Sequence, residues 1–324
     1  MELKYKVLKA LEEKRGQAVS GETLATEFNV SRSAIWKAVK SLRQQGIDIT
    51  AGTNKGYVLA VDSNSLSSAG INAILGENRY IIETRKSVTS TNTILKEMAV
   101  QGADEYTVLV AEEQTLGRGR FGRRFESPKG TGIYLSILLK PKMKAEDALF
   151  ITTSAAVAVA NAVEALNKKP NSVKIKWVND LFLDNRKICG ILTEAAIDFE
   201  SGGLEYAILG IGINISPSEE VNEKLSGIAG SIFKTDIPNS RNQLTAQILK
   251  QISKQLDNFG SKECLDEYRL RSFLDNKMVT VIGGETRYLA RVVGIDDKAR
   301  LVVQLESGDK KTISSGEVSL SLEV

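Results

Sequence analysis

The chain has no histidine in 324 residues. That absence excludes Ser-His-Asp and Cys-His catalysis and every His-ligated metal centre. An enzyme of this composition works by positioning and electrostatics through Arg, Lys, Asp and Asn, which suits phosphate chemistry. Cysteine is scarce as well. Cys189 and Cys264, the two present, are too few and too far apart for a disulfide framework or a zinc site. Cys189 falls in the apolar run KICGIL and reads as a small core residue. Neither sign of charge dominates: 43 Lys and Arg against 40 Asp and Glu leave a net +3. Any nucleic-acid surface must therefore be local. No apolar run is read as long enough to span a membrane. The Ala-rich stretch 148–166 is taken as too short and polar-flanked, a buried helix packed on a sheet. The start MELKYKVLKA reads as an amphipathic helix, not a signal peptide. The expectation is a cytoplasmic protein with no membrane contact.

What the chain does have is a basic, glycine-rich loop between two apolar runs. Glu113 to Arg124 reads EQTLGRGRFGRR, with four arginines and three glycines within eight residues. Upstream, YTVLVA (106–111) predicts a buried strand, and IYLSILL (133–139) predicts another. Glycine at alternate positions lets backbone approach a ligand closely, and guanidinium forks suit phosphate or carboxylate oxygens. Residues 117–122 match G-x-G-x-x-G, but no helix follows, so the dinucleotide fingerprint fails its context test. Residues 117–129 carry a local charge of about +4. The loop is expected to repel itself when empty and to order over a ligand.

At this length the chain should hold two or three domains. Residues 1–15 place Leu3, Val7, Leu8 and Leu11 at helical spacing. Ser20 and Ser31 are suited to cap two further helices. In the second of these, Ile35, Val39 and Leu42 face a core. Arg32, Ser33, Lys37, Lys40 and Arg43 face away, and 31–46 contains four cations and no carboxylate. Trp36 is expected in the core or in a domain contact. The segment GIDITAGTNKGYVLA, with a Thr53-Asn54-Lys55-Gly56 turn, predicts a β-hairpin. Together these read as a winged helix-turn-helix with DNA-binding candidates Arg32, Ser33, Lys37, Lys40 and Lys55. A small helical interaction domain with a solvated basic face is the bland reading.

The Ser-rich stretch 62–70 reads as a linker. The boundaries fall at 1–62 for the winged helix, 63–72 for the linker, 73–272 for a mixed α/β domain and 273–324 for an alternating, turn-rich end. Within the middle part, Ser90-Thr91-Asn92 opens a helix that ends at Gly102. VKIKWVND (173–180) leads into a hairpin carrying Lys187 beside Asp180, by itself no more than an ordinary ion pair. EYAILGIGINI (205–215) is a buried strand, 216–240 a mobile loop, and 241–259 and 262–272 two amphipathic helices. The last fifty residues predict a small antiparallel barrel.

The order Ser90-Thr91-Asn92, Gln114, Gly117-Arg118-Gly119-Arg120, Gly122-Arg123, Lys176-Trp177-x-Asn179-Asp180, Lys187 and Gly210-Ile211-Gly212-Ile213-Asn214 closely resembles the bacterial biotin–protein ligases. The N-terminal segment makes it similar to their bifunctional form, which also represses the biotin operon. The resemblance implies an α+β multidomain fold. Its parts are a winged helix-turn-helix, a central ligase domain like class II aminoacyl-tRNA synthetases and an SH3-like barrel. It implies biotin and ATP as substrates, with Mg²⁺. Biotin would be bound by Ser90, Thr91, Asn92, Gln114, Arg118, Gly119, Arg120 and Lys187. Arg118, Arg120, Arg123, Asn179, Asp180 and Asn214 would bind the nucleotide. Lys187, Arg120 and Asp180 would be catalytic, with Asp180 a weak metal candidate. Implied partners are the biotin carrier domain of biotin-dependent carboxylases, operator DNA and a second copy, in a ligand-promoted homodimer. Val178 stands where the motif commonly has Pro, and Phe125 where Trp is common. A lipoate or octanoate transferase, or a ligand-sensing DNA-binding regulator with an inactive ligase domain, are the rival readings.

Overall fold

The structure, a computed structural model, describes residues 2–52, 56–61, 64–76, 79–198, 200–218, 227–256, 258–283 and 286–320. The N-terminal module is built from α1 (Leu3–Glu13), α2 (Gly21–Glu27), α3 (Arg32–Gln44), β1 (Ile49–Gly52) and β2 (Gly56–Leu59). Ser20 and Ser31 cap α2 and α3, accepting from the amides of Thr23 and Ala34 at 2.9 and 3.2 Å. Such caps are each worth about 1 kcal/mol. Leu8, Leu11, Leu24, Ile35, Leu42 and Leu59 are almost wholly buried and form one cluster. The β1–β2 hairpin is the wing. It is tied back by a bridge between Val19 and Tyr57. Arg43 does not simply face solvent: its Nε donates to the Ile49 carbonyl at 2.6 Å and holds the wing to α3. Lys55 lies outside the described residues.

The stretch read as linker is half helix. Ser67 caps α4 (Ser68–Leu75), and Gly76, in the left-handed conformation, ends it. Ala69 and Ala73 belong to the N-terminal cluster, whereas Ile71 and Leu75 belong to the main core. Apolar residues on two faces of so short a helix do not register as amphipathic periodicity, so the polar Ser-rich composition misled the reading.

The central module is a seven-stranded sheet in the order β3-β4-β5-β9-β8-β7-β6. Its strands are β3 (Ile81–Arg85), β4 (Thr107–Ala111), β5 (Gly132–Leu139), β6 (Lys174–Lys176), β7 (Asp180–Leu183), β8 (Arg186–Ile197) and β9 (Leu204–Asn214). β3 and β4 run parallel, because α5 (Thr91–Val100) crosses between them; the remaining pairs are antiparallel. Alternation along the strands supplies two faces. Leu109, Leu138 and Ile208 meet Leu95 of α5 on one side, while Val108, Val110 and Ile137 join the main core on the other.

On that second side lie α6 (Leu149–Asn167), α7 (Ser240–Ser253) and α8 (Lys262–Arg271). The segment 145–167 is long and apolar enough for a membrane span, with mean hydropathy 1.6 over its best window. The reading of it as too short is thereby corrected. Burial explains the composition instead, since 72% of that window lies inside the fold. Arg271 and Glu164, both 8% exposed in their side chains, pair at 2.7 Å and pin α8 to α6. The C-terminal module is a five-stranded antiparallel sheet of β10 (Met278–Gly283), β11 (Thr286–Ile295), β12 (Leu301–Gln304), β13 (Lys310–Ile313) and β14 (Glu317–Leu320), in the order β13-β12-β11-β10-β14. It is docked on the central module by Trp177, whose Nε1 donates to the Ala299 carbonyl at 2.9 Å.

Candidate active site

The sheet's central strands and the N-terminus of α5 enclose one polar cleft. Into it project Ser90, Thr91, Asn92, Gln114, Arg118, Gly119, Arg120 and Arg123, together with Asn179, Asp180 and Lys187. These come from four separate stretches of sequence. Every residue expected around the biotin and phosphates reaches this cleft except Asn214.

The inner wall is a hydrogen-bonded set of small polar groups. The Thr91 amide and hydroxyl both donate to Gln114 Oε1, at 2.9 and 3.1 Å, and Gln114 Nε2 donates to Ser127 Oγ at 2.9 Å. Ser136 Oγ donates to Asn92 Oδ1 at 2.6 Å and stands 2.7 Å from Thr91 Oγ1. Asn92 Nδ2 donates to Glu194 Oε2 at 2.8 Å. Side chains fixed this way present a rigid surface of donors and acceptors at a helix N-terminus. Ser90, the N-cap of α5, is buried and makes no capping bond with its side chain. Glycine opposite this wall leaves room for Asn92, because a Cβ on Gly210 would press into that side chain and force it to shift.

The Arg/Gly loop closes the outer side as a small hairpin. Phe125 N donates to the Gly117 carbonyl at 2.9 Å and Gly119 N to the Arg123 carbonyl at 2.7 Å, with Arg118 bridged to Arg124. The turn residues Phe121 and Gly122 have φ of 55° and 75°. A Cβ on Gly117 would meet the Phe125 carbonyl at 2.2 Å, which explains why this position is glycine. The Phe125 ring packs over the backbone of Gly212, where a Cβ would come within 2.6 Å, and stands edge-on to Tyr134.

The expected self-repulsion of the loop is not what the structure shows. Arg118 pairs with Glu194 at 3.2 Å, Arg123 with Glu317 at 2.7 Å and Arg124 with Glu126 at 3.5 Å. Arg120 Nη1 donates to Asn179 Oδ1 at 3.3 Å, and Asn179 is itself fixed by its Nδ2 on the Ile191 carbonyl at 2.9 Å. Burial pushes the Arg120 guanidinium below its usual proton affinity, opposed by the nearby carboxylates of Asp180 and Glu317. Lys187 Nζ lies 2.7 Å from Asp180 Oδ1. Lys176, named only as part of a motif, is half-buried; desolvation lowers its pKa against the attraction of Asp180 and Glu317.

Glu194 and Glu317 are carboxylates at the site that sequence reasoning missed. Glu194 bridges Arg118 to Asn92 and so joins the loop to the inner wall. Glu317 brings the C-terminal module to the cleft. Neither carries a motif or a spacing that would reveal it. Asn214 lines a neighbouring cavity with Thr131, Ser216 and Phe233, and its amide donates to the Gly230 carbonyl at 3.1 Å. Residues 219–226 of the loop expected over the nucleotide lie outside the described residues. Among the described residues no group of three metal-ligating side chains occurs, and the Asp180 carboxylate already holds Lys187.

Three family descriptions match the chain in order. They are an HTH domain over residues 4–58, the biotin/lipoate A/B protein ligase family over 85–214 and the biotin protein ligase C-terminal domain over 276–321. The bifunctional ligase/repressor BirA of Bacillus spizizenii is 29% identical over 310 residues, 92% of each chain. The protein of that description from Escherichia coli is 28% identical over 311 residues, 94% of each. The structure of the biotin protein ligase from Aquifex aeolicus in complex with biotin and ATP superposes with a TM-score of 0.62 at 29% identity. It covers 76% of this chain and all of that one. An HTH module, a ligase core and a ligase C-terminal module thus stand in one order in this chain, the chain being similar over 92% of its length to the bifunctional ligase/repressor BirA.

Proposed function

We propose that this chain attaches biotin to a lysine of biotin carrier domains at the expense of ATP, and represses biotin genes in response to the same ligands. The observation that carries the enzymatic reading is the meeting of Arg118, Arg120, Arg123 and Lys187 on one side of a cleft whose other side is a neutral hydrogen-bonding wall. Biotin has a polar, uncharged ring and a carboxylate tail, and the cleft offers a counterpart to each.

In the first step a biotin carboxylate oxygen attacks the α-phosphorus of ATP, the bond from that phosphorus to the bridging oxygen breaks, and pyrophosphate leaves. Two anions must meet, so neutralisation by preplaced cations is the main requirement. Arg118 and Arg120 hold the carboxylate and α-phosphate, Lys187 the reacting oxygens and Arg123 the departing phosphates. On this account Glu194 and Glu317 hold the arginines in place until substrate oxygens take them over. Asp180 is the carboxylate that would hold Mg²⁺, which would supply further neutralisation of phosphate charge when bound. In the second step a carrier lysine amine attacks the acyl carbon, an amide forms and AMP leaves.

The winged helix gives the regulatory half. A single such module makes few phosphate contacts, so useful affinity requires a homodimer on two half-sites, promoted by biotin and ATP. Two free, buried cysteines agree with a cytoplasmic setting. The deciding experiment incubates the protein with biotin, Mg-ATP and a purified biotin carrier domain and weighs the acceptor by mass spectrometry. One ATP-dependent biotinyl addition is expected. No addition with biotin still bound would replace the ligase by a ligand-sensing regulator.

A further inference from the structure

Trp36 was expected inside the fold, yet it is 54% exposed. Its position on α3 is specific. Counting from Ser33, the residues at i+3, i+4 and i+7 are Trp36, Lys37 and Lys40, and all four are exposed. Ile35, Val39 and Leu42, on the opposite side, are at most 2% exposed. The indole thus stands in the middle of an outward stripe, with the Lys40 ammonium 5.1 Å from the ring centroid. It borders a crevice between α2, α3 and the wing whose walls include Ser20, Arg43 and Tyr57.

Single exposed apolar residues are ordinary on protein surfaces. This one differs in its surroundings. Residues 31–46 hold four cations and no carboxylate, a composition that attracts a polyanion and repels a second copy of the same face. Duplex DNA is the polyanion into whose major groove a helix of this width fits. Cations on the stripe reach phosphates, but they carry no information about the base. An indole is too large and apolar for that role; its flat face suits the apolar feature of the groove, the thymine 5-methyl group.

We propose that Trp36 is a base-reading residue of this protein, packing its indole against a thymine methyl while Arg32 and Lys37 hold flanking phosphates. The inference rests on the repressor reading above and names the base feature that reading leaves open. The test uses the full-length protein with biotin and ATP. Its own binding sites are first selected from random duplexes; affinity for a selected and a scrambled duplex is then followed against salt. Trp36→Ala is expected to lose about 5- to 150-fold on the selected duplex, the range of one good base contact. Scrambled-duplex affinity, salt slope and ligase activity should stay unchanged. Trp36→Phe, which keeps an apolar face, should lose less. Thymines of the selected site are then replaced one at a time by deoxyuridine. At one position the native protein should weaken and Trp36→Ala should not weaken further. Native-like binding of the selected duplex by Trp36→Ala overturns the inference and leaves the repressor reading standing. So does an equal loss on both duplexes with weaker self-association, which would place the indole against a second copy. Failure of the native protein to select any site removes the repressor reading and this inference together.

Discussion

Two basic segments of this molecule use the same charge in opposite ways. On α3 the cations Lys37 and Lys40 point to solvent, and among the described residues neither forms an ion pair; Arg32 makes one exposed contact to Glu22 at 3.4 Å. In the Arg/Gly loop Arg118, Arg123 and Arg124 each meet a carboxylate, and Arg120 is held by Asn179. A solvated face suits a long polyanion that supplies many weak contacts and displaces counterions. A preplaced set suits a small charge-bearing transition state, where reorganisation at the moment of reaction would cost rate. Net charge in a sequence window does not distinguish the two uses; the distribution of distant carboxylates does.

A third arrangement, the buried pair of Arg271 and Glu164, marks the structural extreme and should give the largest effect on stability. Arg271→Met leaves a buried carboxylate unpaired and is expected to cost about 3–5 kcal/mol in urea unfolding. Desolvation raises the Glu164 pKa, but the Arg271 bonds and the Val173 amide outweigh it and hold the group below its ordinary value. Its contribution is therefore present at neutral pH and fades as pH falls below about 4. A flat stability profile between pH 6 and pH 3 in the native protein would contradict that assignment. Next in size, Lys187→Ala or Arg120→Ala should slow adenylate formation by at least ~100-fold, the scale of one preorganised donor. Near-normal turnover would remove that residue from the mechanism. Gly212→Ala presses a methyl group into the Phe125 ring. A loss of about 1–3 kcal/mol is expected, read as weaker biotin binding or a lower melting temperature. The smallest effect belongs to the solvated face. Lys37→Ala should lower the slope of log K against log salt by about 0.9 for any DNA sequence, with biotinylation unchanged. A change in turnover would break the division between the segments.

Much of this was legible locally. Ser20 and Ser31 announced their helices because capping is a neighbour effect, and the Asp180–Lys187 pair was readable because a short hairpin fixes its register. The loop between two apolar runs was visible for the same reason. What failed depends on contacts between distant positions. Glu317 meets Arg123 across 194 residues, and no periodicity encodes that meeting. Asn214 donates one amide hydrogen to the Gly230 carbonyl once the chain returns beside β9, a neighbour that sequence spacing does not reveal. Arg43 faces outward as its spacing predicts, but its bond to the wing carbonyl was not readable from that spacing. Trp36 was misplaced because a general preference for burying aromatics was applied to a helix whose buried side was already filled by Ile35, Val39 and Leu42.

The helix α4 decides how the N-terminal and central modules behave as matter. With Ala69 and Ala73 in one core and Ile71 and Leu75 in the other, it is a party wall rather than a string. Neither side can loosen it without opening apolar surface on the other, so the two modules share part of their melting cooperativity. This packing makes α4 a direct physical connection between the DNA reader and the central module.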